Sequence, residues 1–431
     1  MKNDVKIGVL GLWHLGSVYS AALADQGFKV VGYDEDKSVI DKLKKGIPPI
    51  QEPLLKETVA KHLNNNLIFT NNPKEAVENK NFVFVTYDIP VDEKDKSDLT
   101  TVNSTFSILN KYISPKTTVV VSSQVPIGYC RKSLEKLRKK HPTVDIIYFP
   151  ENLRLGNAFE SFLRPDRIVV GSTNPKICDE FEQTFSFFKC PVMKMGLESA
   201  EMVKHSLNSY LALIISFSSE MGDLSEILGA NMNDVVAALK TDKRVSPFAP
   251  LSPGLGFAGG TLGRDLQTLR KLAKEKNYKT FLLDSVYKVN QTRLKHLMGN
   301  IKSVISPLKD KNIGILGVTY KPKTSTLRRS MSLELAKLLD KENATIKAFD
   351  PAIKEVIPHY PFIKVETSII AFFNDLDLVI LMTEWEDFKK IDWTKNSSLM
   401  GSKIIFDCKN LLNKKSLEKI GFKYFGIGYP K

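Results

Sequence analysis

Short β-branched runs alternate with amphipathic helical patterns over roughly the first 190 residues, and that alternation constrains the fold more than any other feature of the chain. Residues 5–10, 29–33, 82–86, 118–122 and 145–149 read as strands, and 15–26, 37–45 and 101–111 read as helices. Strands separated by helices cannot pair as hairpins. They line up in parallel, with helices covering both faces of the sheet. The same alternation resumes at Asn312-Ile-Gly-Ile-Leu-Gly317, with further strands at 346–349, 376–382 and 403–407. Between the two α/β segments, residues 198–228 keep helical spacing without a convincing break, and Gly229 suits the C-cap. A helix that long connects domains and can supply a dimer face.

Length agrees with this partition. A chain of 431 residues is too long for one ordinary domain, and boundaries are expected at 1–195, 196–300 and 301–431. No apolar run approaches the ~20 residues that span a bilayer, so no membrane association is expected. Met1-Lys-Asn-Asp-Val-Lys leads straight into a strand, with no signal-peptide apolar region, and a cytoplasmic location is the default. Cys130, Cys178, Cys190 and Cys408 form no C-x-x-C pair and have no histidine cluster beside them. They read as free thiols of a reducing compartment, and no metal site is expected. The net charge of +14 is scattered, with no basic stripe interleaved with aromatics. That argues against nucleic acid and leaves a lysine-rich surface or a field attracting a small anion such as a nucleotide diphosphate.

Gly11-Leu12-Trp13-His14-Leu15-Gly16 follows the first strand and opens a helix. Gly11 suits the tight turn, Gly16 suits close helix–strand packing, and Asp34 ends the second strand about twenty residues on. A carboxylate there accepts from ribose hydroxyls and repels a 2′-phosphate, which favours NAD over NADP. Trp13 occupies the place of the middle glycine of G-x-G-x-x-G, so its side chain must point away from the phosphates. The alternative is a purely structural turn. The expected fold class is therefore α/β: two Rossmann-like doubly wound domains joined by a long central helix and a small helical region.

Chemistry-bearing segments follow in order: Tyr148-Phe-Pro-Glu151-Asn152-Leu153-Arg154-Leu155-Gly156, then Glu198 to Lys204 and Asn208, then Arg244. Next come Pro253-Gly-Leu255-Gly256-Phe257-Ala-Gly259-Gly-Thr261-Leu-Gly-Arg264-Asp265, then Tyr320-Lys321 through Arg328, Thr383-Glu-Trp385 and Asp407-Cys-Lys-Asn410. Lys204 and Asn208 are i,i+4 and share a helix face. An ammonium and an amide on one face can hold a developing oxyanion, while the bland reading is a solvated surface. Asp265 could position a water or tune Lys204, or simply cap a helix over 266–274. Glu151 reads as a general base or as a loop carboxylate paired with Arg154. The loop glycines read as amide donors to a sugar diphosphate or as a flexible turn.

The ordered set resembles the UDP-glucose/GDP-mannose dehydrogenase family from about residue 5 to 430. The resemblance implies an NAD-dependent dehydrogenase acting on a nucleotide-diphosphate sugar, working as a homodimer. It implies that Lys204, Asn208 and Asp265 serve the oxidation and Glu151 a later hydrolysis. Gly11, Leu12, Trp13, Gly16, Asp34, Ser123, Gln124, Arg264 and Arg328 would then line the cofactor. Glu151–Leu155, Lys204, Asn208, Arg244, Leu255–Phe257, Gly259 and Lys321 would line the substrate.

Departures from the family pattern gather near the reacting carbon. Thr261 stands where the family carries the cysteine that captures the aldehyde, and Leu155 replaces a second glutamate. Gln124 stands for a threonine, and Ser325 and Thr326 for an acidic pair. A thiol of pKa about 8.5 is readily activated, whereas a threonine hydroxyl with no histidine partner is a poor substitute. The expectation is oxidation at a primary alcohol, carried to the uronate or stopping after two electrons at an aldehyde or ring ketone. A non-catalytic nucleotide-sugar-binding protein is a further alternative. A 6-phosphogluconate-type dehydrogenase fits less well, because it does not account for the second α/β segment.

Overall fold

The computed structural model describes residues 4–92, 97–151, 153, 156–257 and 260–430. It separates into two units, Met1–Leu207 and Asn208–Lys431.

The first unit carries β1 (Lys6–Leu10), α1 (His14–Asp25), β2 (Lys29–Tyr33), α2 (Lys37–Leu43), α3 (Leu55–His62), β3 (Leu67–Thr70), α4 (Pro73–Val77) and β4 (Phe82–Val85). It continues with α5 (Thr100–Tyr112), β5 (Thr118–Val121), α6 (Tyr129–Arg138), β6 (Asp145–Tyr148), α7 (Ala158–Leu163), β7 (Ile168–Gly171), α8 (Pro175–Thr184) and β8 (Val192–Met195). The strand order is β3-β2-β1-β4-β5-β6-β7-β8. The first six strands are parallel, in the 3-2-1-4-5-6 order of doubly wound dinucleotide-binding sheets. β7 departs from the all-parallel expectation. It meets β6 antiparallel through Tyr148 and Gly171, with α7 between the two strands in the chain. Phe28, Phe82, Phe84, Phe149, Phe181 and Phe185 fill one face of this sheet as a run of edge-on and tilted ring contacts.

α9 (Leu197–Leu228) is the long helix that joins the two α/β domains. Gly229 follows it with φ +75°, a left-handed conformation that glycine adopts without strain.

The second unit continues with α10 (Met232–Leu239), α11 (Leu262–Glu275), α12 (Phe281–Val304), β9 (Asn312–Leu316), α13 (Met331–Lys341), β10 (Thr345–Phe349), β11 (Ile363–Val365) and α14 (Ile369–Phe373). It ends with β12 (Leu378–Leu381), α15 (Trp393–Ser397), β13 (Ile404–Asp407), α16 (Lys414–Lys419) and β14 (Lys423–Gly426). Its sheet, β11-β10-β9-β12-β13-β14, is wholly parallel and repeats the 3-2-1-4-5-6 order. Among the described residues no helix is long and apolar enough to cross a membrane.

Candidate functional site

In an open parallel sheet, ligands gather beyond the carboxyl ends of the strands where the order reverses. In the first sheet that point lies between β1 and β4. Gly11 leaves β1 with φ +96°, and a Cβ there would press into the Tyr87 ring. A Cβ on Gly16 would overlap the carbonyl oxygen of Gly11, so α1 can sit against the turn only with glycine at that place. Thr86 fixes the same turn, its hydroxyl donating to the carbonyls of Leu10 at 3.0 Å and Gly11 at 2.7 Å. Trp13 has φ −71° and is 52% exposed, so neither backbone strain nor burial opposes its side chain.

The Leu12 amide donates to Asp34 Oδ2 at 2.7 Å, and the Asp36 amide to Oδ1 at 3.0 Å. Asp34 is only half-buried, and a carboxylate with two donors has lone pairs left for ribose hydroxyls. α1 begins at His14 and turns its unsatisfied N–H groups toward the place a pyrophosphate would take. These residues fit NAD. Beyond β5, Ser123 is buried and donates to the Tyr87 carbonyl at 2.7 Å, and Gln124 is buried beside it.

At the end of β6, Lys204 Nζ donates to the Glu151 carbonyl at 2.7 Å and to Glu151 Oε2 at 3.3 Å. The lysine is buried and its direction is fixed by two acceptors from one residue. Glu201, one turn earlier on α9, accepts from the amides of Gly128 and Cys130 at the start of α6, and burial pushes its carboxyl up. Leu153 is half-buried against the first core. Asn152, Arg154 and Leu155 lie outside the described residues.

In the second unit, Asn208 Nδ2 donates to Asp265 Oδ2, and both residues are buried. The helix expected over 266–274 in fact begins at Leu262. Thr261 is at its N-cap without a side-chain cap bond, so Asp265 is not the cap. It sits in the first turn of α11, where the positive end of the helix dipole favours a carboxylate. Thr261 is exposed, and Arg264 Nε is 3.9 Å from Asp265 Oδ1.

Leu255 and Phe257 are buried, and Asn290 of α12 grips Phe257 at both main-chain groups, with N–H to Oδ1 at 2.8 Å and Nδ2 to carbonyl at 3.1 Å. Gly256 has φ +86°, and a Cβ there would strike Asn290 Oδ1. Arg293 Nε donates to the Gly254 carbonyl at 3.3 Å while its guanidinium pairs with Asp223. Gly259 lies outside the described residues. Arg244 is exposed and forks onto Asp242, which raises its guanidinium pKa and lowers the Asp242 carboxyl.

Asp223, Glu226 and His296 place donor atoms within 4.8 Å of one another. Those carboxylates hold Arg293, Asn300 at 3.1 Å and the Gly428 amide at 2.9 Å. At the switch point of the second sheet, Thr383 Oγ1 donates to the Thr319 carbonyl at 2.8 Å and Trp385 Nε1 to Thr319 Oγ1 at 3.2 Å. Lys321 is half-buried and Arg328 exposed in the segment between β9 and α13.

Models of three domains of one family match in order: NAD binding domain at residues 5–189, central domain at 198–292 and UDP binding domain at 314–414. The chain belongs to the UDP-glucose/GDP-mannose dehydrogenase family. A UDP-glucose 6-dehydrogenase of Rickettsia typhi is 32% identical over 437 residues, covering 98% of this chain and 99% of the relative. The UDP-glucose 6-dehydrogenase TuaD of Bacillus subtilis is 30% identical, covering 99% of this chain and 93% of its own length. A solved UDP-glucose dehydrogenase from the archaeon Pyrobaculum islandicum superposes with a TM-score of 0.89 at 27% identity, covering 99% and 98%. As a member of this family, the chain is an NAD-dependent nucleotide-sugar dehydrogenase.

Sequence reasoning passed over Asn290, Arg293, Glu201, Glu52 and His14. The first four act on backbone far away in sequence and His14 on the Glu52 carboxylate, and no spacing rule signals that. Glu52 alone left a trace, a carboxylate beside Pro53 just ahead of α3.

Proposed function

We propose that the chain oxidises a UDP-hexose, of the UDP-glucose type, at its primary alcohol. The observation that supports this is the fixed ammonium of Lys204 with Asn208 one helical turn on, the amide itself oriented by Asp265. As the alcohol O–H loses its proton to water and the C–H leaves as hydride, the sugar oxygen gains negative charge. Preorganised N–H donors on one helix face stabilise that charge. NAD+, when bound, accepts the hydride. Asp34 beside the ribose position supports NAD+ over NADP+.

We further propose that the reaction ends after two electrons. A thiohemiacetal needs a nucleophile that ionises readily, and Thr261 is an exposed threonine at a helix N-cap. Without a covalent intermediate, the aldehyde can leave before a second hydride transfer.

The test is to incubate the protein with NAD+ and a panel of UDP- and GDP-sugars and count NADH per sugar consumed. One NADH with an aldehyde product is expected. Two NADH with a uronate would overturn the truncated course, and binding without NADH would favour a non-catalytic sugar-binding role. Thr261→Cys is expected to add the second NADH, and Lys204→Ala to lower turnover by about 10²–10³-fold.

A homodimer completes the proposal. Tyr210, Phe217 and Leu224 recur every seven residues on α9 and are 59, 44 and 43% exposed, with Ile227 and Leu228 beyond them. Large apolar groups in one stripe are favourable only when covered. Sedimentation should give a dimer, and Phe217→Glu a monomer.

A further inference from the structure

The Glu52 carboxylate is fully buried in the segment ahead of α3, and Glu52 is not among the expected catalytic, cofactor or substrate residues. Its Oε1 meets His14 Nε2 at 3.0 Å and the Gly156 amide at 2.9 Å. Its Oε2 meets the Gly156 amide at 3.1 Å and the Ala158 amide at 3.2 Å. An ionised carboxylate only accepts, so the imidazole donates from Nε2. A buried carboxylate is costly unless its oxygens are satisfied, and three donors from two separate segments satisfy this one. Leu54, two residues on, holds φ +67°, a conformation costing a leucine about 1–3 kcal/mol. The turn is kept in that shape by what surrounds it.

The positions of the donors give the arrangement its meaning. His14 is the first residue of α1, directly after Trp13 in the glycine turn. Gly156 and Ala158 close the segment that begins at Glu151, the residue holding Lys204, and Ala158 opens α7. One carboxylate therefore touches both the helix that would receive the pyrophosphate and the end of the segment that aims the lysine. We propose that Glu52 and His14 form a positioning pair coupling dinucleotide binding at the α1 turn to the order of Gly156 and the start of α7. The inference rests on the NAD-dependent dehydrogenase reading above. A ligand that settles the α1 terminus settles the His14 ring, and the ring settles the carboxylate that clamps Gly156 and Ala158.

Hydrogen exchange of the peptide 156–163, with NAD+ alone as probe, tests the pair. Trp13, exposed beside the turn, reports NAD+ occupancy by fluorescence quenching. At saturating NAD+ the wild-type peptide is expected to exchange about fivefold more slowly than without it, a modest coupling. His14→Phe, which keeps a ring but loses the donor, should show the quench without the slowing. His14→Tyr, whose hydroxyl can donate to the carboxylate, should restore it. Equal slowing in wild type and His14→Phe overturns the proposal while leaving the cofactor reading intact. So does a wild type that quenches with no change in exchange. A wild type that shows no quench overturns the cofactor reading and the coupling with it.

Discussion

The two α/β sheets have one strand order and one opening motif, yet their first turns are built for different tasks. Each puts a positive-φ glycine after its first strand, Gly11 at +96° and Gly317 at +85°, and an aspartate after its second. In both, the aspartate accepts an amide of the turn: Leu12 N to Asp34 at 2.7 Å and Val318 N to Asp350 at 2.8 Å. In the first sheet α1 starts at His14, so its free N–H groups crowd the turn and Asp34 stays half-open. In the second, α13 starts only at Met331. There Asp350 is fully buried, with Oδ2 taken by Val318 N, Thr319 N and Thr319 Oγ1, and Oδ1 by Ala352 N. The strand order is shared; the two turns differ in the residues between the glycine and the next helix.

Removing each aspartate gives the sharpest test. Asp350→Ala leaves the buried amides of Val318 and Thr319 without an acceptor and should cost about 3 kcal/mol in denaturant unfolding. NAD+ affinity of the folded fraction should be unchanged. Asp34→Ala should shift the balance: NAD+ binding weakens about tenfold, NADP+ is tolerated better, and stability falls by only about 1 kcal/mol, because a single buried amide, that of Leu12, loses its acceptor. If both variants lose stability equally and neither loses NAD+, the two turns are equivalent and the comparison fails.

The glycines make a finer test. Alanine at either costs about 1–2 kcal/mol in the left-handed region. The added methyl of Gly11→Ala presses on Tyr87 at the cofactor turn, whereas that of Gly317→Ala meets Thr383. Both should melt earlier, and titration with NAD+ should show a further loss only for Gly11→Ala.

Much of this was legible in the sequence because it is local. β2 falls at Lys29–Tyr33 and α9 ends at Leu228, as the period and the following glycine indicate. The antiparallel turn of β7 was not legible, since only the connection through α7 decides it. The helical start at Leu262 was hidden because Gly259, Gly260 and Gly263 read as loop. The clamps on the two loops were invisible for another reason. Asn290 reaches back to Phe257 and Glu52 forward to Gly156, and a side-chain-to-backbone bond leaves no periodicity in either partner.

The smallest expected effect again pairs the two halves, through carboxylates buried on backbone amides. Glu201 takes the amides of Gly128 and Cys130, and Asp407 takes those of Lys409 and Leu412 plus the Tyr424 hydroxyl at 3.0 Å. Burial raises both carboxyls above their ordinary values of 4.5 and 3.8, and the hydrogen bonds partly offset it. A raised carboxyl holds its proton in the folded chain after the unfolded chain has lost it. Each group's contribution is therefore fully present below the ordinary value and declines as pH rises toward the folded value. Glu201→Gln and Asp407→Asn cannot titrate, so melts across that window should show a flatter pH dependence than wild type. A slope as steep as wild type in Glu201→Gln would mean that the first-half carboxylate is solvated after all. The same outcome in Asp407→Asn would say so of the second half, and the halves would then differ at this level as they do at their turns.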